Sequence, residues 1–74
     1  MAISTDESQV IEQIGQTAGA VWQILADKGA LTTARLVKEV GVPRDLVMQA
    51  IGWLAREDKI QVDDSRARVI SLRE

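Results

Sequence analysis

Apolar residues in the first third of the chain recur every three or four positions: Val10, Ile11, Ile14, Ala18, Val21, Trp22 and Leu25. That period predicts one long amphipathic helix ending at Lys28. Ser4 followed by Glu7 fits a capping box, in which each side chain satisfies a free backbone N–H. Residues 1–7 are expected to form a flexible, frayed end. Gly29 follows Asp27 and Lys28 and suits the left-handed conformation that closes a helix. Ala30 and Leu31 fit a short extended segment, and Thr32 fits the N-cap of a second helix. That helix carries Ala34, Leu36, Val37 and Val40, stops at Gly41, and is followed by an inward Val42. Pro43 opens a third helix, where its fixed φ is already suitable, and Asp45 sits in the first turn, where the helix dipole favours an acid. Leu46, Val47, Ala50, Ile51 and Leu54 form the buried stripe of this helix.

The period then changes. Ile60-Gln61-Val62 and Ala67 to Leu72 are rich in β-branched residues and predict two strands, joined by the turn residues Asp63-Asp64-Ser65-Arg66. Val69 and Ile70 are adjacent and both apolar, so alternation leaves open which face of the last strand is buried. Leu36, Val42, Leu46/Val47, Ala50 and Leu54, with Gly41 at a corner that needs φ > 0, have helix-turn-helix spacing. A helix and short strand precede this unit and a hairpin follows it. The expected fold is therefore α+β, mainly α: a winged helix-turn-helix with a C-terminal β-hairpin wing, over residues 8–74.

Two stretches carry a resemblance. Ile14-Gly15-Gln16-Thr17-Ala18-Gly19 with Trp22, and Ala50-Ile51-Gly52-Trp53-Leu54-Ala55-Arg56-Glu57-Asp58-Lys59-Ile60, resemble the first-helix and third-helix motifs of a family of small prokaryotic winged helix-turn-helix proteins of unknown function. The likeness covers roughly residues 8–72. It implies the fold and a tendency to pair. It supplies no activity and no ligand residues.

Composition narrows the function. At 74 residues the chain is one domain near the lower edge of independent stability, and with no cysteine no disulfide can brace it. No run approaches the ~20 apolar residues of a membrane span. The polar, acidic N-terminus lacks the form of a signal peptide, so the expected location is the cytoplasm. Without His or Cys, the commonest general base, the best nucleophile and the usual zinc ligands are all missing, so neither enzyme activity, a metal nor a cofactor is expected. Asp63 and Asp64 are adjacent carboxylates, but a hydrophilic turn explains them better than a metal site. Net charge is −2, which offers a polyanion no global attraction.

Two partners remain. In this architecture the first turns of the third helix meet base edges in the major groove of double-stranded DNA. The exposed candidates there are Arg44, Asp45, Met48 and Gln49, with Arg56 further along. Arg44 suits guanine and Gln49 adenine. Arg35, Lys38, Arg66 and Arg68 are candidate phosphate contacts, while Glu39, Asp45, Asp63 and Asp64 among them oppose phosphate. The other partner is a second copy. Gly15 and Gly19 share a side of the first helix with Ala18 and Trp22, and Gly within a helix is unfavourable enough to need a reason. Either helices one and three pack closely inside the domain, the preferred explanation for Gly52, or the face of Gly15, Ala18, Gly19, Trp22 and Trp53 is a homodimer seam. The leading expectation is a regulatory module that binds DNA as a homodimer. The alternative is a protein-interaction winged helix that binds no DNA. A third reading is a small-molecule-sensing dimer with a tryptophan-lined pocket.

Overall fold

The computed structural model describes residues 4–64 and 67–73. Its elements are α1 (Ser4–Lys28), β1 (Leu31–Thr32), α2 (Thr33–Val40), α3 (Arg44–Arg56), β2 (Ile60–Asp63) and β3 (Val69–Leu72). This is the expected winged helix order. Helical backbone in α1 takes in residues 4–7, which the sequence placed in a frayed end. The Ser4–Glu7 capping box depends on side chains outside the described residues.

Local chemistry sets the element ends. Gly29 at φ 82 donates its N–H to the Leu25 carbonyl at 2.8 Å. Gly41 at φ 77 does the same to Val37 at 3.2 Å. The Thr32 hydroxyl accepts from the Arg35 N–H at 3.1 Å and caps α2. Pro43 lies one residue outside α3, at φ −54, rather than in its first helical position. The end of α3 carries no glycine. Asp58 takes φ 63, its N–H donating to Ala55 and that of Lys59 to Leu54, both at 3.0 Å, the paired bonds of a Schellman ending.

The three strands form one antiparallel sheet in the order β1-β3-β2. Ile70 pairs with Leu31 on one side and Val62 on the other, and it is the fully buried residue of β3, which settles the Val69/Ile70 ambiguity. β2 runs on to Asp63 and β3 starts only at Val69, so Ala67 and Arg68 precede the strand.

The core is Ala18, Val21, Leu25, Leu36, Val47, Ala50, Ile51, Leu54, Ile60 and Ile70. α1 packs chiefly on α3. Part of the predicted α1 stripe is not covered: Val10 is 47% exposed, Ile11 54% and Trp22 41%. The cause is length. A 25-residue helix is about 37 Å long, whereas the molecule measures 44 × 23 × 22 Å. The other elements reach only the C-terminal half of α1. Val10 continues the core-facing line of Val21 beyond the end of that cover. Trp22 is a helical step of ~100° away from Val21 and emerges at the edge.

Candidate functional site

The outward ridge of α3 is Asp45, Gln49, Gly52 and Arg56, all exposed. One flank of α3 faces the wing. There, a notch of about 420 Å³ is lined by Thr32, Thr33, Ala34, Arg44, Met48, Asp64, Ala67 and Arg68. The wing base is fastened to the start of α2 by Thr33, whose N–H donates to the Arg68 carbonyl at 3.0 Å and whose hydroxyl donates to it at 3.5 Å. Arg68 then spans back with Nε 3.1 Å from Asp64 Oδ1. Arg44 is exposed with no ionic partner among the described residues.

Of the six cations expected at a DNA surface, the five that lie among the described residues do not share one cavity. Arg44 and Arg68 share the notch with half-buried Met48. Arg35 is engaged by Glu39 at 3.0 Å, and Lys28 approaches the same carboxylate at 3.6 Å. The Arg35 hydrogen bond, then the charge of Lys28, holds the Glu39 carboxyl below its usual range. Lys38 is exposed in the last turn of α2. Arg56 lies at the far end of α3, beside Trp53 and Glu57 around a separate hollow. Arg66 lies outside the described residues. Charge is nonetheless unevenly spread along the chain. Residues 31–72 carry seven Lys/Arg and six Asp/Glu, whereas residues 1–30 carry one and four, so the acidic excess belongs to the α1 half.

On the other flank of α3, a groove of about 380 Å³ runs between α1 and α3. Gly15, Ala18, Gly19, Trp22 and Gln23 line it from α1, and Trp53, Leu54, Glu57 and Lys59 from the end of α3 and beyond. This brings together the five candidate seam residues, with Ala18 at 4% exposure belonging mainly to the core and Trp53 left 40% exposed. A Cβ added at Gly15, Gly19 or Gly52 meets nothing within 4 Å. Close internal packing therefore does not explain these glycines, and that explanation of Gly52 is corrected. Gly52 lies on the outward ridge of α3, away from α1.

Sequence patterning missed the Thr32–Thr33 and Asp64 walls of the notch, and the Glu57–Lys59 pair, 3.5 Å apart, on the groove rim. The notch depends on β3 register placing Arg68 over Thr33, which local spacing does not encode. Among the described residues no group of three His, Cys, Asp or Glu could hold a metal ion, and no helix is long and apolar enough to cross a membrane.

Residues 7–72 match the model of a family described as a winged helix-turn-helix domain (DUF2582). The chain is also similar to the uncharacterized protein MJ1608 of Methanocaldococcus jannaschii, with 39% identity over 64 residues, covering 82% of this chain and 91% of that one. No solved structure matches the chain.

Proposed function

The chain belongs to that winged helix-turn-helix family, and we propose that it is a small cytoplasmic regulatory module that contacts double-stranded DNA as a homodimer. The observation behind this reading is the notch, where Arg44 and Met48 of α3 and Arg68 of the wing line one concavity. Helix-turn-helix folds place their second helix in the major groove, with its first turns at the base edges. Arg44 is suited to bidentate donation to guanine, and Gln49, further along α3, to adenine. Arg68 and Lys38 supply backbone contacts. The DNA assignment rests on fold analogy joined to this local geometry. With about two phosphate contacts the salt slope is shallow, roughly −2 in log K against log salt, and affinity is low at physiological salt. No catalytic step is assigned to a chain without His or Cys.

One observation favours the second reading, a protein-interaction module that binds no DNA: Trp22 and Trp53 stand exposed along a groove with an open glycine floor. An amide NMR titration with short duplex DNA at low and moderate salt separates the two. DNA recognition shifts resonances in the first turns of α3 and at the wing base, and the shifts shrink as salt rises. Arg44→Ala then costs ~1–3 kcal/mol of binding and relaxes choice at one base pair. Arg68→Ala weakens all sequences alike. Silent α3 and wing amides at low salt would put the protein-interaction reading first.

A further inference from the structure

We propose that the groove between α1 and α3 seats helix α1 of a second copy of this chain, the two α1 helices crossing antiparallel at Gly15. This rests on the homodimer half of the reading above and is independent of the DNA half.

Two incomplete features on one helix motivate it. The N-terminal half of α1 overhangs the domain, with Val10 and Ile11 about half exposed among the described residues. A dozen helical residues without packing are marginal in water, so the overhang needs a surface. Four residues beyond Ile11 the same helix begins the groove, where Gly15 and Gly19 leave open space beside Trp22 and Trp53. Ile11, Gly15 and Trp22, four and seven residues apart, fall on one helical face.

In an antiparallel pair, facing positions keep a constant sum. A two-fold axis at Gly15 therefore places Ile11 of each copy over Gly19 of the other. A protruding side chain meets an open backbone twice, which is the self-complementarity an isologous contact requires. The same placement brings Ile11 between the two tryptophans of the second copy. The groove rim carries the Glu57–Lys59 pair, 3.5 Å apart and neutral in sum, so the acidic overhang meets no net repulsion there. A dimer of ordinary size buries about 800 Å² per partner. The two tryptophans with Val10 and Ile11 expose too little alone. Two overhangs of about 20 Å, each laid along the other copy, supply the remaining contact length.

The chain has no cysteine, so engineered thiols report the register directly. Light scattering at high micromolar concentration should give the dimer mass. Gly15→Cys should oxidise to a linked dimer, as should the Ile11→Cys/Gly19→Cys double variant, because disulfide range is reached only where backbones cross closely. Ala20→Cys, exposed on the opposite face of α1, should stay unlinked. Gly19→Leu should weaken the dimer about tenfold or more, with the monomer's thermal melt unchanged or raised because Leu favours helix over Gly and its Cβ meets nothing within 4 Å. A dimer that cross-links at position 20 and not at position 15 overturns this seat while leaving the homodimer reading intact. A monomeric mass overturns both.

Discussion

From Thr17 to Lys28, α1 sets Ala18, Val21 and Leu25 into the core and ends in the Gly29 turn, with Lys28 reaching Glu39 on α2. From Ser4 to Gln16 the same helix, with the same apolar period, leaves Val10 and Ile11 exposed. The difference does not lie in amphipathicity. It lies in how much protein the remaining elements can set against a helix of this length. Apolar periodicity tells which face wants cover, and the extent of the neighbouring elements decides how far along the helix cover exists.

The largest expected effect tests that distinction directly. Leu25→Ala removes a buried side chain from the covered half and should cost ~2–5 kcal/mol, a large share of the stability of so small a domain. Ile11→Ala, the same kind of truncation in the overhang, should change monomer stability by no more than ~0.5 kcal/mol. Urea melts of both variants at low concentration decide it. Equal losses would mean the overhang is packed after all. Amide hydrogen exchange sharpens the same contrast without mutation. In dilute protein, amides between Val21 and Leu25 should open at least about 2 kcal/mol less readily than those between Val10 and Gln13, since the overhang frays without unfolding the core. Uniform protection along α1 in a monomer would break the comparison.

Most of the fold was legible in the sequence, because its signals are local. Gly29 and Gly41 occupy the positive-φ turns expected of them, and Thr32 caps the helix it precedes. Leu36, Val47, Ala50, Ile51 and Leu54 form the core that their spacing predicted. What escaped was set by distance or by tertiary register. Val10 and Ile11 have the right period but lie beyond the cover of the other elements, and Trp22 emerges at the edge of the stripe. Asp58 replaces the glycine usual at a left-handed helix ending, so composition gave no sign of that turn. The candidate site was legible only in part. The seam residues meet in one groove, whereas the five described cations divide among separate places, because a charge on an exposed helix follows the helix wherever packing turns it.

A smaller effect tests how firmly the elements over the covered half are held. Thr32 accepts the Arg35 N–H and opens α2, which packs on α1. Thr32→Ala should cost ~1 kcal/mol through the lost cap, and Thr32→Ser should restore most of it. Thermal melts of the two variants check it, and a Ser variant as weak as the Ala variant would point to β1 packing rather than capping.

The smallest effect concerns the ion pair that ties the end of the covered half to α2. Glu39 accepts from Arg35 and faces Lys28, whereas Glu12 on the overhang has no ionic partner among the described residues. The Arg35 hydrogen bond and then Lys28 lower the folded-state Glu39 pKa from its ordinary 4.5. A depressed carboxylate pKa contributes stability above the unfolded value, and that contribution is lost as pH falls through the folded value. Wild type and Glu39→Gln should therefore differ at neutral pH and converge as the solution is acidified below 4.5. Arg35 and Lys28 are more than half and half exposed, at 59% and 50%, so salt should shrink the difference. Urea midpoints along a pH series at low and high salt give the measurement. A wild type less stable than Glu39→Gln at neutral pH, with the gap closing on acidification, would show that Glu39 is destabilising when charged, and that the Lys28 end of α1 is held by its core contacts alone.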